Sequence, residues 1–261
     1  MILKPIAVDV IDFPAELRPL LSGAKLYDSS CSEQAKVIYI EKDSGYFLKR
    51  SPKGSLEREV LMTKYFHSKG LAANVLAYIS DEYDWMLSEK VQGDDCISRK
   101  HLDEPKRLCD TIAERLSILH SIDFSDCPVQ NHSELFITSA KDYMEKGMFD
   151  KKQAQIWGYE SPEEAWKVAT ANAHLLEANT LLHGDYCLPN IILDDWKFSG
   201  FIDLDMAGVG DRHIDLYWGS WTLLYNLKTD EYRDRFFDAY GRDKVDKDFL
   251  RIIAAFEVFG E

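Results

Sequence analysis

The sequence is poor in the features on which secreted and membrane-spanning proteins depend. Its five cysteines are an odd number and form no Cys-x-x-Cys pair, which argues against a disulfide framework or a zinc knuckle. No apolar run approaches the roughly 20 residues that a membrane span requires. The N-terminus lacks the apolar core of a signal peptide. We therefore expect a soluble cytoplasmic protein that has no membrane partner.

Basic residues are also in the minority, with 31 Lys and Arg against 45 Asp and Glu, for a net charge of −14. A nucleic-acid-binding surface needs clustered Lys and Arg, so we expect no nucleic-acid partner. The excess of acids is concentrated in residues 101–261, where 17 basic and 30 acidic residues leave a net charge of −13. Such a surface suits cationic partners, although an ordinary solvated acidic surface is the more common explanation.

The pattern of apolar residues changes near Gly93. Before it, segments rich in aromatic and β-branched residues predict five short strands, at residues 24–29, 36–41, 46–50, 75–80 and 85–89, with one helix between the third and the fourth. After it, apolar residues at helical spacing predict mainly helices, interrupted by short strands at 181–183, 191–193 and 201–204. We predict a strand-rich N-lobe over residues 1–92 and a larger, mainly helical C-lobe over residues 93–261.

The strongest local signal lies in residues 183–190, HGDYCLPN, and in residues 200–203, GFID. These segments place Asp185 and Asn190 in one loop and Asp203 at the end of a strand. Phosphoryl transfer needs a carboxylate that orients a hydroxyl and accepts its proton, and oxygen ligands that hold Mg²⁺ on a triphosphate. Any one of these residues alone is more often a turn former, but the set in this order predicts a kinase.

A kinase also needs a cation for the phosphates of its nucleotide. Lys49 lies in the third predicted strand, and the following helix offers Glu57 and Glu59 as ion-pair partners. Residues two apart on a helix point in different directions, so only one of these acids can pair with the lysine. Most lysines are merely exposed, so Lys49 is assigned here as a hypothesis.

Residues 183–190, together with FSGFID at 198–203, resemble the aminoglycoside 3'-phosphotransferase family, the kanamycin and neomycin kinases. The similarity extends over nearly the whole chain and includes LERE at 56–59, DWML at 84–87 and the segment from Gly208 to Asp215. The resemblance implies an α+β, protein-kinase-like bilobal fold with a five-stranded antiparallel N-lobe and a mainly helical C-lobe. It also implies ATP (or GTP) and Mg²⁺ as cofactors, and an aminoglycoside as the cationic acceptor.

Carried over residue by residue, the resemblance makes Asp185 the catalytic aspartate. Asn190 and Asp203 correspond to the two magnesium ligands. Lys49 corresponds to the lysine on the α- and β-phosphates, and Glu59 to its partner on the helix. The resemblance implies further nucleotide contacts from Ser32 over the triphosphate, Phe47 on the adenine, and the hinge at Ser88, Glu89 and Lys90. For the acceptor it implies Glu257 and, at the end of the chain, Glu261.

Several neighbouring polar residues are interpreted as structural. We expect His183 to hold the 183–190 loop by hydrogen bonding, and His120 to be a satisfied core histidine. Cys187 is expected to be a small packed residue. Asp211 and Asp215 have the pattern of loop and helix caps.

Two features depart from the family pattern. Asp205 and Met206 stand where relatives have a small residue and an arginine, and the loop at 150–157, DKKQAQIW, has fewer acids than its counterparts. Asp205 itself is equally compatible with a metal contact and with a polar strand end. A metabolite or other antibiotic kinase of the same superfamily therefore stays open as an alternative. A non-catalytic nucleotide-binding module is disfavoured by the complete catalytic set.

Overall fold

The computed structural model describes residues 4–6, 10–30 and 35–260 and divides into two compact units. The first, called here the sheet unit, comprises Met1–Asp94 and Ile192–Asp205. The second, the helical unit, comprises Asp95–Ile191 and Met206–Glu261. Ser32 and Glu261, which the family resemblance implicates in binding, lie outside the described residues.

The sheet unit is built on a six-stranded antiparallel sheet with the order β1-β2-β3-β4-β6-β5. Its strands are β1 (Lys4–Pro5), β2 (Lys25–Asp28), β3 (Lys36–Glu41), β4 (Tyr46–Pro52), β5 (Val75–Ser80) and β6 (Tyr83–Glu89). The five strands predicted from the sequence are confirmed. The sixth, β1, is a two-residue edge strand that is too short to produce a recognisable alternation.

Alternation along the strands places the larger of two apolar clusters on one face of this sheet. Ile38, Ile40 and Leu48 pack there with Trp85 and Leu87 in a single core cluster. Successive side chains of a strand point to opposite faces, so the burial of Leu48 turns its neighbours in β4 to the other face. Two helices complete the first segment of the unit: α1 (Arg18–Leu21) and α2 (Glu57–Ser68).

A hairpin far along the chain returns to the sheet unit. It consists of β9 (Ile191–Asp194) and β10 (Lys197–Phe201), and its two turn residues, Asp195 and Trp196, have positive φ values of 45° and 66°. Two residues in this conformation make a type I′ turn, which matches the twist of the paired strands. The main-chain N–H of Phe201 donates to the carbonyl of Leu71 at 2.7 Å, and its ring meets that of Phe66. The predicted division at residues 92/93 assigns this hairpin to the C-lobe, because the local sequence pattern does not indicate that the chain returns to the first unit.

The helical unit contains eight described helices and two short paired strands, β8 (Thr180–Leu182) and β11 (Gly208–Gly210). The helices are α3 (Arg99–Leu102), α4 (Pro105–Leu119), α5 (His132–Glu145), α6 (Lys151–Ile156), α7 (Pro162–Asn172), α8 (Arg212–Leu227), α9 (Arg233–Gly241) and α10 (Lys247–Glu257). Helix α8 is central, since it packs against α4, α9 and α10. A two-residue strand, β7 (Asp94–Asp95), lies where the chain passes from the first unit to the second.

The cysteines and the helices of the described residues bear on two expectations from the sequence, one about disulfide bonds and one about membrane spans. The four cysteines within the described residues, Cys96, Cys109, Cys127 and Cys187, are all buried free thiols. Within residues 4–6, 10–30 and 35–260, every helix falls short of the length or the apolar character that a bilayer crossing demands.

Candidate active site

Lys49 is the centre of an ion-pair network in the sheet unit. Its Nζ lies 2.7 Å from Glu59 Oε2 and 3.0 Å from Asp203 Oδ1. Burial alone would lower the pKa of Lys49, but the two carboxylates outweigh burial and hold the pKa above its ordinary value. Lys49 is therefore a cation that is fixed in place by residues from two distant parts of the chain.

The sheet explains why Glu59, rather than Glu57, meets Lys49. Lys49 pairs in register with Met86, which packs against Val60 of α2, so this helix covers the face of the sheet from which Lys49 projects. Glu59 is buried against that face, whereas Glu57 is exposed. Burial raises the pKa of Glu59, and the charge of Lys49 opposes that shift. The structure thus selects one of the two acids that the sequence left open.

Asp203 lies just beyond the β9–β10 hairpin in a strained backbone conformation. Its φ is +59°, a left-handed value that costs a non-glycine residue on the order of 1 kcal/mol. Half of its side chain is exposed. Arg58, on α2, donates from Nε to the main-chain carbonyl of Asp205 and so fixes the main chain two residues after Asp203. Arg58 carries no sequence signal for this role, because its target is a backbone atom 147 residues away.

Asp205 itself is half-buried beside this network. Burial raises the pKa of its carboxyl, while the charges of Lys49 and Arg58 act in the opposite direction. The sequence left Asp205 open between a metal contact and a structural strand end. Its main-chain bond to Arg58 supports the structural part of that interpretation.

The residues predicted to contact an adenine lie on two adjoining strands of the sheet. Phe47 is paired in register with Ser88, and its ring lies 5.3 Å from that of Tyr39. In the hinge, the N–H of Glu89 donates to the carbonyl of Asn74 at 3.0 Å, and the N–H of Lys90 donates to that of Gly45 at 3.0 Å. Because these two donors are used within the sheet unit, a nucleotide would have to meet other main-chain groups of this segment.

The second group of predicted site residues lies in the helical unit, in the 183–190 loop. Asn190 Nδ2 donates to Asp185 Oδ2 at 2.8 Å and to the Asp185 main-chain carbonyl at 3.1 Å. The N–H of Leu188 donates to Thr222 Oγ1 of α8 at 3.1 Å. Asp185 stays partly exposed, whereas Asn190 is buried. The loop therefore presents one carboxylate, held in a defined orientation by the side chain five residues later.

Asp215 is the anchor of this loop, and the prediction that it is a simple cap is wrong. Its buried carboxylate accepts the N–H of His183 at 2.8 Å, the N–H of Gly184 at 2.8 Å and His120 Nε2 at 3.1 Å. Burial alone would raise the pKa of Asp215, but these bonds keep it below its ordinary value. Gly184 has a φ of +84°, and a Cβ there would collide with the carbonyl of Met206.

The expectation that His120 is a satisfied core residue is confirmed. Its Nδ1 lies 2.8 Å from the hydroxyl of Tyr240, and burial lowers the pKa of the imidazole. Burial also raises the pKa of Tyr240 to about 12, so the phenol keeps its proton and donates. His120 is thus neutral, accepts at Nδ1 and donates from Nε2 to Asp215. His183 also has the structural role expected of it, since its Nδ1 accepts the N–H of Asp185 at 3.3 Å.

Glu257, the last residue of α10, also lies in the helical unit. Trp218 of α8 donates from its indole Nε1 to Glu257 Oε1 at 3.0 Å. Burial raises the pKa of Glu257 to about 8, and the charge of Asp185 contributes in the same direction. Nearby, the N–H of Asp150 donates to the carbonyl of Val258 at 2.8 Å, and the Asp150 side chain caps α6. Most of the 150–157 segment is helix α6, not the expected loop, and its acid, Asp150, is the N-cap of that helix.

The oxygen atoms expected to hold Mg²⁺ are compatible with that ion. Among the described residues, no cluster of three or more His, Cys, Asp or Glu side chains forms a ready-made metal cage. Magnesium does not require one, since it commonly binds one or two carboxylates together with substrate phosphates and water. Asn190 turns its amide nitrogen to Asp185, which leaves its oxygen as the ligand atom, and Asp203 keeps an exposed carboxylate.

Comparison with known proteins places these features in a family. The profile of the phosphotransferase enzyme family matches residues 28–253. A probable aminoglycoside 3'-phosphotransferase of Lactococcus lactis is 48% identical over 259 residues, which are 99% of each chain. An aminoglycoside 3'-phosphotransferase of Niallia circulans is 28% identical over 256 residues, covering 95% of this chain and 97% of the relative.

Solved structures agree on the fold. An aminoglycoside 3'-phosphotransferase of type VIII superposes with a TM-score of 0.75 at 20% identity, covering 96% of this chain and 99% of the other. An aminoglycoside phosphotransferase of Streptomyces rimosus, in complex with ADP and streptomycin, superposes with a TM-score of 0.76 at 21% identity, covering 97% and 99%. The predicted α+β kinase-like fold is confirmed by these likenesses.

The role of Asp215 leads to a stability prediction. We expect Asp215→Asn to lower the free energy of unfolding by about 2–3 kcal/mol, because an amide group would turn an N–H toward donors that need an acceptor. Urea unfolding measures the loss. The matched control is Asp246→Asn at the N-cap of α10, where asparagine caps as well as aspartate and we expect a change below about 0.5 kcal/mol. Equal losses in both variants would contradict the anchor role.

The raised pKa of Glu257 leads to a second prediction. Between the ordinary pKa of 4.5 and the folded value of about 8, the folded protein binds more protons at Glu257 than the unfolded chain does. The contribution of this residue to stability must therefore fall as the pH rises through that window. We expect Glu257→Gln to gain stability relative to the parent protein between pH 5.5 and pH 8, as measured by urea unfolding. The exposed Glu114, changed to Gln, is the control and should show no such trend.

Proposed function

The chain belongs to the phosphotransferase enzyme family, and on that premise we propose that it transfers the γ-phosphoryl group of ATP or GTP to a hydroxyl of an aminoglycoside. One observation carries the proposal: Lys49 is bound at once to Glu59 and to Asp203. This arrangement fixes a cation next to an exposed carboxylate. A phosphate-binding lysine and a metal-binding aspartate are the two groups that hold a nucleoside triphosphate in kinases.

The sheet unit supplies the nucleotide side of the reaction. Lys49 would bind the α- and β-phosphates through its ammonium group, and Glu59 keeps that group in place because it is buried and cannot turn to solvent. Phe47 offers an aromatic face for the base. Mg²⁺, when bound by Asp203 and Asn190, would neutralise the charge of the triphosphate.

The helical unit supplies the acceptor side. Asp185 would orient the hydroxyl of the acceptor and take its proton as the new P–O bond forms. Asn190 fixes the rotation of that carboxylate through the 2.8 Å bond to Oδ2. Asp215 holds the main chain on which Asp185 is carried, through the N–H groups of His183 and Gly184. Catalysis would rest on positioning and charge, which can together remove a large part of the barrier.

The assignment of the acceptor is supported by charge and by the 48% identical relative named as a probable aminoglycoside 3'-phosphotransferase. Aminoglycosides are polycations, and Glu257 lies close enough to Asp185 for the two carboxyl groups to interact electrostatically. A bound cation would favour the ionised form of Glu257, against the burial that raises its pKa. The second candidate is a kinase for another small molecule. Asp205-Met206 and the acid-poor segment at 150–157 favour it, because both depart from the family pattern.

A coupled assay of ADP release tests the proposal against this alternative. Purified protein with Mg-ATP or Mg-GTP would be offered kanamycin, neomycin and streptomycin, and, as the competing panel, simple sugars, amino alcohols and macrolides. We expect turnover with one or more aminoglycosides and none above background with the competing panel. Turnover confined to the competing panel would assign the acceptor elsewhere and leave the kinase chemistry in place.

The role of Asp185 gives a third prediction. We expect Asp185→Asn to lower kcat by about 10²- to 10⁴-fold, because the amide can align the hydroxyl but cannot accept its proton. Nucleotide affinity, measured by calorimetry with Mg-ATP, should stay within about threefold of the parent. Asp194→Asn, at an exposed position of β9, is the control and should keep its turnover. A folded Asp185→Asn protein with near-normal kcat would contradict the mechanism.

The ion-pair network gives a fourth prediction, which concerns the nucleotide alone. We expect Lys49→Ala to weaken Mg-ATP binding by about tenfold or more, since a charge-assisted contact to phosphate is lost. The control Lys53→Ala removes an exposed lysine just beyond the same strand and should leave the affinity unchanged. Unchanged Mg-ATP affinity in Lys49→Ala, measured by calorimetry, would contradict the assignment of Lys49.

A further inference from the structure

Helix α8 carries a row of three aromatic side chains, Trp218, Trp221 and Tyr225, called here the aromatic row. Their spacing of three and four residues places them on one side of the helix. The rings of Trp218 and Trp221 meet edge to face with their centroids 5.3 Å apart. Those of Trp221 and Tyr225 are 4.9 Å apart and nearly parallel, at 15°. The three rings therefore form one continuous surface along the helix.

The aromatic row is not part of the core of the helical unit. The core side of α8 is formed by residues such as Ile214, Leu216 and Leu223, which are fully buried. Trp218 and Trp221 are only half-buried, and 56% of Tyr225 is exposed. A contiguous group of large rings that is exposed to water is characteristic of a binding surface. The rings would gain free energy if a ligand or a partner covered them.

One end of the aromatic row lies at the acceptor side of the proposed chemistry. The indole of Trp218 donates to the carboxyl group of Glu257 at 3.0 Å. Thr222, the residue after Trp221, holds the 183–190 loop through the N–H of Leu188. Both contacts lie within the helical unit. The row thus extends away from the carboxyl group of Glu257 along the same helix that supports the loop of Asp185.

The chain itself shows that a cation can bind to this surface. At the outer end of the row, the ammonium of Lys228 lies 4.2 Å from the centroid of the Tyr225 ring. Aromatic faces attract ammonium groups and also pack against the apolar C–H faces of saturated rings. A ligand that suits both the row and Glu257 must therefore combine a saturated ring face with positive charge. Amino sugars have that combination, whereas neutral sugars and anionic metabolites do not.

We propose that the aromatic row is a specificity-determining surface of the acceptor site, on which an aminosugar ring packs against Trp221 while its ammonium groups meet Glu257. This inference rests on the proposed function, and it adds a criterion by which the enzyme selects its acceptor. The selection is then made by ring faces as well as by carboxylates. That compensates for the shortage of acids in the segment at 150–157.

Steady-state kinetics with kanamycin test the inference. We expect Trp221→Leu and Tyr225→Leu each to raise KM for kanamycin by about 2- to 30-fold, which corresponds to the usual strength of a cation–aromatic contact. The kcat and the KM for ATP should stay within about twofold. Tyr225→Phe keeps the ring and should have the KM of the parent. If Trp221→Leu folds poorly, Trp221→Phe takes its place, and its smaller ring should raise the KM for kanamycin by less than Trp221→Leu would.

Tyr143 of α5 provides a closely matched control. Like Tyr225, it is a helical tyrosine with a lysine three residues later, and the ammonium of Lys146 lies 5.4 Å from its ring centroid. Tyr143→Leu should therefore reproduce the general cost of losing such a tyrosine and leave the KM for kanamycin unchanged. An equal rise of KM in Tyr143→Leu and Tyr225→Leu would overturn the inference.

Tryptophan fluorescence gives a readout that does not depend on turnover, because kanamycin has no aromatic chromophore. Titration of the parent protein should change its emission, and Trp221→Phe should lose most of that change. If aminoglycosides are phosphorylated but KM and emission are the same in all variants, the inference is overturned and the proposed function stands. If the parent neither binds nor phosphorylates any aminoglycoside, both are overturned. A dimer that dissociates in Tyr225→Leu while KM is unchanged would assign the row to self-association and overturn the inference.

Discussion

The contacts of the buried Asp215 carboxylate are the interaction on which the conformation of the 183–190 loop depends. This carboxylate gathers two main-chain N–H groups of the 183–190 loop and a neutral histidine around one charge. A charge this deep would be costly if any of its donors were missing, so these bonds stabilise the observed conformation of the loop. That conformation places Asp185 and Asn190 within hydrogen-bonding distance of each other. The carboxylate that we propose to be reactive is therefore positioned by a residue that need not touch a substrate.

In the sheet unit, where we propose that the nucleotide binds, the charges are arranged around a cation instead of an anion. Lys49 is a partly buried cation that two carboxylates compensate, and each carboxylate comes from a different segment of the sheet unit. Glu59 is supplied by α2, which covers the face of the sheet opposite to its main core. Asp203 follows the β9–β10 hairpin, a part of this unit that lies more than 100 residues after Lys49 in the sequence. In both units, a buried carboxylate, Glu59 or Asp215, holds part of the proposed site in place.

Much of this could be predicted from local pattern. The alternation in five segments gave the strands of the sheet, and the spacing of Asp185, Asn190 and Asp203 indicated phosphoryl transfer. What the pattern could not show was pairing over long distances. Asp215 follows a helix start, so a cap was the natural interpretation, and only the fold brings it to His183 and Gly184. Trp218 and Arg58 act on partners that are 39 and 147 residues away, and nothing in their neighbourhoods distinguishes them from ordinary helical residues.

The chemistry to which both units lead is the transfer of phosphate to an acceptor hydroxyl. The direct measurement is ³¹P NMR of a reaction that contains the protein, Mg-ATP and kanamycin. We expect the resonance of a phosphate monoester on the aminoglycoside, formed in the same amount as ADP, with inorganic phosphate only at background level. Consumption of ATP that yields inorganic phosphate alone, with no ester on kanamycin or on any other acceptor offered, would contradict it.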